Sequence, residues 1–203
     1  MDEAPVVHVI DDDEAVRDSL AFLFDSVGMS PRTYESAVAF LRALEEAPAG
    51  CVVTDVRMPE MSGLDLLREL RARNVALPII IITGHGDVTL AVEVMKEGAF
   101  DFLEKPFDDD QLINIVRRAL ERAPVSPSEE AAAAQARVCA LSADERQILK
   151  RLVDGQLTKT IAFDLGINPR EVEVHRARLM AQMEAATFAD LVRIALLAGD
   201  LTA

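Results

Sequence analysis

The feature that most constrains the fold of this 203-residue chain is a regular alternation of two kinds of segment. Five short runs have the character of β-strands, and each is followed by a longer stretch with the apolar periodicity of an α-helix. The predicted strands are 6–10, 29–34, 51–54, 79–83 and 100–103, and the predicted helices after them are 15–27, 36–46, 63–73, 88–96 and 109–123. Strands that alternate with helices of this length predict a parallel sheet joined by right-handed crossovers. Two of the helix starts carry the pattern of a capping box, Ser62 with Asp65 and Asp108 with Gln111. We therefore expect an α/β fold with a parallel sheet, for which 2-1-3-4-5 is one possible strand order.

The pattern of residue types changes after residue 122. Residues 123–128 carry two prolines close together, which cannot both lie inside a helix, and 129–139 could form a helical, semi-rigid spacer. From residue 141 onward the pattern is helical throughout, with predicted helices at 143–154, 158–165, 169–183 and 188–198. We expect an α/β domain at 5–122, a partly helical linker at 123–140 and an all-α four-helix domain at 141–203.

Net charge is distributed very unevenly. Residues 1–136 hold 12 Lys and Arg against 26 Asp and Glu, whereas residues 137–203 hold nine of each kind. Because the negative charge of the first part repels nucleic acid and anionic membranes, any contact with DNA must come from the C-terminal third. The longest apolar runs are far shorter than the ~20 residues of a membrane span, and the acidic N-terminus does not look like a secretory signal. We expect a cytoplasmic protein with no membrane contact.

Acidic residues follow two of the predicted strands. Asp11 and Asp12 end the first strand and Asp55 ends the third, and these strands are neighbours in the order 2-1-3-4-5, so the carboxylates should converge. Hard oxygen ligands of this kind suit Mg²⁺. Thr83 and Lys105 end two further strands, and a cation, a hydroxyl and an ammonium around one carboxylate are what a transferred phosphoryl group requires. Asp55 is the candidate nucleophile.

A simpler interpretation exists for each of these signals taken alone. An Asp after a strand is commonly the N-cap of the next helix, as we expect for Asp13, and a Lys-Pro pair such as Lys105-Pro106 is commonly a turn. Four signals at four separate strand ends are hard to explain by capping and turns, so chemistry is favoured.

The same residues resemble a known family, the receiver domains of two-component response regulators, over residues 5–122. The matching strings are Val9-Ile10-Asp11-Asp12-Asp13, Thr54-Asp55-Val56-Arg57-Met58-Pro59-Glu60-Met61-Ser62-Gly63, Ile82-Thr83-Gly84-His85-Gly86 and Phe102-Leu103-Glu104-Lys105-Pro106-Phe107. The resemblance implies the flavodoxin-like (βα)5 fold with strand order 2-1-3-4-5, and it implies that Asp55 is the phosphoacceptor. It also implies that Mg²⁺ is held by Asp11, Asp12, Asp55 and the carbonyl of Arg57.

Four further residues receive roles from the resemblance. Lys105, with a cis bond to Pro106, would pair with the phosphoryl oxygens, and Thr83 would hydrogen-bond the phosphoryl group. Phe102 would swing inward as the coupled aromatic, although plain core packing is the simpler role for a phenylalanine. A sensor histidine kinase, FixL-like in kind, would be the phosphoryl donor, and phosphorylation would produce a homodimer.

The C-terminal helices contain a clear helix start. Asn168 is the predicted cap, Pro169 the first helical residue, and Glu171 the partner that completes a capping box. A short helix that ends at Gly166 precedes it, which is the helix-turn-helix layout. A generic αα-hairpin is the alternative.

Resemblance favours the helix-turn-helix. Between residues 157 and 196 the chain has the strings Ile161-Ala162, Leu165-Gly166-Ile167, Val172-Glu173-Val174-His175-Arg176-Ala177 and Leu191-Val192. In these strings it is similar to the LuxR-type DNA-binding domain of the NarL/FixJ family, and most similar to the FixJ-type members. The predicted DNA contacts are Arg170, Glu171, Glu173, Val174, Ala177 and Arg178 toward the major groove, with Lys159 and Arg176 toward phosphates.

The two motif sets together predict a response regulator that is phosphorylated on Asp55 by a partner kinase, dimerises, binds double-stranded promoter DNA and regulates transcription, with RNA polymerase as a candidate contact. Two alternatives stay open. One is a phosphorylation-controlled protein-interaction module, favoured by the zero net charge of residues 137–203 and by Glu171 in a position where the family commonly has a hydroxyl. The other is a phosphotransfer enzyme for small molecules, which the absence of a substrate-pocket signature disfavours. We expect no enzyme.

Overall fold

The computed structural model describes residues 4–44, 49–84, 88–121 and 127–199, which form five strands and ten helices. Two compact units can be separated among them. The first holds the residues before 85 together with 97–121, and the second holds residues 88–96 together with those from 127 onward. No helix in the described part of the chain is both long and apolar enough to cross a membrane.

The first unit is built on a parallel five-stranded sheet. Its strands are β1 Val6–Ile10, β2 Ser30–Tyr34, β3 Gly50–Asp55, β4 Ile79–Thr83 and β5 Asp101–Glu104. Their order is β2-β1-β3-β4-β5, and every neighbouring pair is parallel, which confirms the predicted fold class. Every residue of β4 is buried, as expected for a central strand covered on both faces.

Helices connect the strands of this sheet. They are α1 Glu14–Ser26, α2 Ala37–Ala43, α3 Gly63–Ala72 and α4 Val88–Lys96, with α5 Asp109–Leu120 after the last strand. One core cluster joins Val7 and Val9 of β1 with Phe24 of α1 and with Leu112 and Val116 of α5. This packing holds the strands against the helices, and the position of each strand determines where its carboxyl end lies.

Side chains cap several of these helices. Asp13 accepts a hydrogen bond from the N–H of Ala15 at the start of α1, and Ser62 forms a full capping box with Asp65 at the start of α3, both as predicted. The capping box predicted for α5 is wrong. Asp108 accepts from the N–H of Asp110, two residues on, and Gln111 takes no part in the cap.

The second unit contains the C-terminal helices. They are α6 Pro127–Cys139, α7 Ala143–Val153, α8 Thr158–Leu165, α9 Pro169–Gln182 and α10 Phe188–Ala198. The helix predicted inside the linker is α6, and its Ala134 and Val138 are buried in the same apolar cluster as Ile161, Val172 and Leu191. Part of the predicted linker therefore packs with the C-terminal core; its residues 123–126 lie outside the described residues.

Candidate functional site

The carboxyl edge of the sheet collects the predicted receiver residues. Asp11 directly follows β1, Asp55 is the last residue of β3, Thr83 the last of β4, and Lys105 directly follows β5. These four strands are consecutive neighbours and run in one direction, so their ends lie along one edge. An edge of this kind is where ligands bind in open α/β sheets.

Lys105 brings two of the acidic residues together. Its Nζ lies 3.5 Å from Oδ2 of Asp11 and 3.8 Å from Oδ2 of Asp55, although the two aspartates are 44 positions apart in the chain. The Asp11 carboxylate also accepts a hydrogen bond from the N–H of Asp13, and the guanidinium of Arg17 donates to the Asp11 carbonyl. Asp11 is therefore held by both its side chain and its backbone, which orients it toward Lys105.

The electrostatic surroundings of Asp55 disfavour its charge. Burial raises the pKa of Asp55 above its usual value, the ammonium of Lys105 lowers it, and the carboxylate of Asp11 raises it again. A backbone hydrogen bond from Arg57 lowers the pKa and the carboxylate of Asp12 raises it, and the net shift is upward. Oδ1 of Asp55 is buried without a hydrogen-bond partner, while the side chain as a whole keeps 12% of its exposure. An ionised Asp55 therefore needs more positive charge than Lys105 supplies.

The donor set at this edge fits Mg²⁺ by its chemistry. Carboxylates and a backbone carbonyl are hard oxygen ligands, and the unpartnered Oδ1 of Asp55 is an acceptor that a cation would satisfy. Asp11 is buried and Asp12 is exposed, so water could complete the coordination from the Asp12 side. Within the described ranges, no group of three or more His, Cys, Asp or Glu side chains is arranged closely enough to hold a metal. Asp11 and Asp55 instead share the ammonium of Lys105.

The start of α3 fixes the backbone of Asp55. Gly63, the first residue of that helix, donates its N–H to the carbonyl of Val56, and a Cβ built on Gly63 would lie only 2.4 Å from the carbonyl oxygen of Asp55. On the other side, the N–H of Val56 donates to the carbonyl of Ile82 in β4. Only glycine allows α3 to approach this closely, and the approach sets the direction in which Asp55 leaves the sheet.

The predicted switch residues lie on β4, which is next to β3, and on β5, the edge strand that pairs with β4. Thr83 is fully buried, and its carbonyl accepts from the N–H of Lys105 at 2.7 Å. Phe102 is only partly buried, between the buried Asp101 and Leu103. The Lys105–Pro106 peptide bond is cis.

In the helix-turn-helix pair, the end of α8 and the start of α9 lie where the sequence predicts them. Gly166 ends α8 in the left-handed conformation, with φ of 67°. Asn168 then caps α9 by accepting from the N–H of Glu171, whose own carboxylate accepts from the N–H of Asn168 at 2.8 Å. The carboxylate of Glu171 is thus engaged in holding the start of α9.

Seven of the eight predicted DNA-contacting residues are exposed to solvent, and Arg176 is the exception. Exposed positions on α9 and α8 are Arg170, Glu171, Glu173, Val174, Ala177, Arg178 and Lys159. Their counterparts on the inner side of the pair are buried: Ile161, Ala162, Val172, Leu179 and Met183. An open hollow at the start of α9 is lined by Asn168, Pro169, Arg170, Glu171 and Val174. Helical periodicity therefore separated the two faces correctly.

Two of these residues have partners that the sequence did not predict. Glu173 accepts a hydrogen bond from the hydroxyl of Thr158 on α8, at 2.9 Å. Arg176 is only partly exposed, and its guanidinium carbon lies 4.5 Å from the ring centroid of Phe188 on α10. Neither Thr158 nor Phe188 carries a sequence signal for this role, because each contact depends on how two helices cross.

Comparison with protein families finds two matches along the chain. Residues 7–117 match the family described as the response regulator receiver domain, and residues 139–195 match the luxR family of bacterial regulatory proteins.

Individual relatives are similar over nearly the whole chain. The transcriptional regulatory protein FixJ of Azorhizobium caulinodans is 55% identical, with 98% of this chain and 95% of the relative covered. The C4-dicarboxylate transport transcriptional regulatory protein DctR of Rhodobacter capsulatus is 44% identical, with 93% and 98% covered. A crystal structure of full-length FixJ from B. japonicum is 47% identical and superposes with a TM-score of 0.57, covering 96% of this chain and 97% of that one.

Proposed function

This chain belongs to the FixJ-like response regulators, transcriptional regulators with a receiver domain and a LuxR-type DNA-binding domain, and from that premise we propose that phosphorylation of Asp55 controls its binding to promoter DNA. The family consists of regulators and not of enzymes. The observation that carries the proposal is the position of Asp55 at the carboxyl edge of the sheet, beside Lys105 and Asp11. We assign the receiver domain to residues 5–122, the linker to 123–140 and the DNA-binding domain to 141–203.

Asp55 is the proposed phosphoacceptor. A carboxylate oxygen attacks the phosphorus atom of a phosphohistidine in a partner sensor kinase, an O–P bond forms as the N–P bond breaks, and the histidine leaves with the electron pair. Lys105, whose Nζ already lies within 4 Å of both Asp55 and Asp11, is placed to pair with the phosphoryl oxygens. FixL-like kinases are the donor class that the similarity to FixJ proteins suggests.

Mg²⁺ is the proposed cofactor of this step. Its ligands would be the carboxylates of Asp11, Asp12 and Asp55 and the carbonyl of Arg57. When bound, the ion supplies charge neutralisation for the transferred group. Two observations support this assignment: Oδ1 of Asp55 is buried without a hydrogen-bond partner, and burial together with the carboxylates of Asp11 and Asp12 raises the pKa of Asp55, a direction that a bound cation would oppose.

Replacing Asp12 tests the metal assignment. We expect Asp12→Asn to weaken Mg²⁺ binding at least about tenfold, because a neutral amide removes one of three anionic ligands from a site whose charge attracts the ion. Isothermal titration with MgCl₂ measures the affinity. Asp13→Asn is the matched control, since it removes the same charge one residue away while an asparagine retains the α1 cap that Asp13 provides. Equal Mg²⁺ affinity in the two variants would exclude Asp12 as a ligand.

Thr83 and Phe102 are the proposed switch pair. A phosphoryl group adds charge and acceptor oxygens, to which the Thr83 hydroxyl donates, and Phe102 moves into the space that Thr83 leaves. The partial exposure of Phe102 is consistent with a ring that can change position. The repacked surface then supports a homodimer.

The exposed face of α9 is the proposed DNA-reading surface. Arg170 and Arg178 can donate to guanine edges, Glu173 can accept from a cytosine amine, and Val174 and Ala177 suit a thymine methyl. Lys159 and Arg176 are assigned to phosphates, and Glu171 lies at the edge of this surface with its carboxylate in the cap. Promoter DNA and RNA polymerase are the proposed nucleic-acid and protein partners, and the cytoplasm is the proposed location.

A binding experiment with and without a phosphodonor tests the function. Fluorescence anisotropy with duplexes tiled across candidate promoters should show tighter binding after treatment with acetyl phosphate and Mg²⁺, because dimerisation doubles the cations that face the backbone. With zero net charge in residues 137–203, weak and unspecific binding is expected before treatment. If no duplex is bound in either state while a protein partner is captured in a phosphorylation-dependent manner, the protein-interaction module is the correct function.

A further inference from the structure

The hydroxyl of Thr158 holds a side chain of the proposed DNA-reading surface. Thr158 is the first residue of α8, and its Oγ1 donates to Oε1 of Glu173 on α9, at 2.9 Å. The two residues are 15 positions apart and belong to the two helices of the helix-turn-helix pair. The bond therefore ties a side chain of the recognition helix to the helix behind it.

The other oxygen of Glu173 faces a second anchored group. Nη1 of Arg176 lies 3.8 Å from Oε2 of Glu173, one helical turn along α9. The guanidinium of Arg176 is in turn placed over the ring of Phe188 on α10. Glu173 is thus bounded on one side by α8 and on the other by a cation that α10 positions.

Glu173 and Glu171, the two acidic residues of this surface, use their carboxylates differently. Glu171 uses its carboxylate to cap α9 and points it at the backbone of Asn168. Glu173 keeps half of its side-chain exposure while both of its oxygens have neighbours that restrict where they lie. It is therefore an exposed acceptor with a defined direction on the outward face of α9.

We propose that Thr158 is a positioning residue for base specificity, acting through the orientation of Glu173. The inference rests on the proposed function, since it requires α9 to read base edges. A carboxylate in the major groove accepts a hydrogen bond from the amino group of cytosine or adenine, and it is repelled by the acceptor atoms of guanine O6 and N7 and thymine O4. A glutamate free to rotate can turn away from an unfavourable base, whereas one held by Thr158 cannot. The hydroxyl therefore sharpens discrimination at one base pair.

Selection from a randomised duplex library tests the proposal on the full chain, treated with acetyl phosphate and Mg²⁺. Thr158→Val removes the hydroxyl with little change of shape, and we expect it to reduce the preference for the amino-bearing base at one position by about two- to tenfold, the range for one hydrogen bond. Preferences at the other positions should stay as in the wild type. Thr158→Ser keeps the hydroxyl and should restore the wild-type preference.

Two further variants separate positioning from a structural role. Thr160→Val makes the same substitution at an exposed position of α8 and should leave every base preference unchanged. In a Glu173→Ala background, Thr158→Val should have no additional effect, because the side chain that the hydroxyl orients is gone. Additive effects of the two substitutions would overturn the proposal.

The outcomes also distinguish this inference from the proposed function. If the wild type enriches no sequence, the DNA-reading function fails and the inference fails with it. If the wild type enriches a motif that Thr158→Val enriches equally, only the positioning role of Thr158 is overturned. If Thr158→Val lowers affinity equally for all sequences, Thr158 contacts the DNA backbone and the proposal is likewise wrong.

Discussion

Asp55→Asn is expected to abolish the covalent phosphoryl adduct completely. The amide nitrogen and oxygen of asparagine are not nucleophiles toward phosphorus under these conditions, so acetyl phosphate with Mg²⁺ should leave the mass of the intact variant unchanged. The wild type should gain one phosphoryl group, which alkali removes as expected for an acyl phosphate. Phosphorylation-dependent DNA binding should be lost in the same variant.

A matched substitution controls for loss of charge. Asp18 is an exposed aspartate on α1, and Asp18→Asn should be phosphorylated as the wild type is. An adduct of undiminished amount on Asp55→Asn would place the phosphoacceptor elsewhere and overturn the assignment.

The same variant has a second expected effect, on stability. Since the pKa of Asp55 is raised in the folded protein, the fold favours the protonated form, and ionisation of this carboxyl above its pKa destabilises the fold. Asp55→Asn should therefore unfold at a higher temperature than the wild type at pH 7. The difference should shrink as the pH falls through the raised pKa toward the ordinary value of about 4. Thermal unfolding followed by circular dichroism at intervals of about one pH unit, from about pH 4 to about pH 8, would measure the difference.

The sheet and the placement of its site residues could be predicted from the sequence because both follow from short-range patterns. Apolar runs bounded by turns fixed β1 and β4 to the residue, since a continuous Val or Ile run fits only a strand covered on both faces. Once the strand order is known, residues at the ends of neighbouring strands must share an edge. Asp11, Asp55 and Lys105 meet there as expected.

What the sequence could not predict depends on angles between elements and on competition among nearby acceptors. Asp108 and Gln111 have the spacing of a capping box, yet the Asp108 carboxylate bonds to the nearer N–H of Asp110. The family resemblance assigns Lys105 to a phosphoryl group. In the structure, the Lys105 ammonium lies near the carboxylates of Asp11 and Asp55.

The limits of periodicity are clearest on α9. A helical pattern separates its buried and exposed faces, because that separation depends only on 3.6 residues per turn. It does not distinguish an exposed acid that is free from one that is engaged. Glu171 and Glu173 both fall on the exposed face that the pattern predicts. The first caps its own helix, and the second accepts a hydrogen bond from Thr158 of α8. The spacing of Asn168 and Glu171 predicts the first contact, whereas the second depends on how α8 and α9 cross.

Arg170→Ala is expected to produce the largest loss of sequence-specific DNA binding of any single change on α9. Arg170 lies in the first turn of that helix, is exposed, and has no hydrogen bond or ion pair from its side chain to any described residue. Because the N-terminal residues of a recognition helix contact base edges, its guanidinium is placed to bond two acceptors of a guanine. Loss of such a pair costs about 1–3 kcal/mol, or about 5- to 150-fold in affinity for the selected duplex.

The salt dependence of binding separates base reading from charge alone. If Arg170 reads a base, Arg170→Ala should lower affinity for the selected duplex far more than for a scrambled one, and anisotropy titrations on both duplexes measure the ratio. Lys150→Ala, which removes an exposed cation from α7, is the matched control and should leave that ratio unchanged. An equal loss on both duplexes, with the slope of log affinity against log salt reduced by about 1, would reassign Arg170 to a phosphate. In that case, Arg178 would become the candidate for guanine recognition on the same helix face.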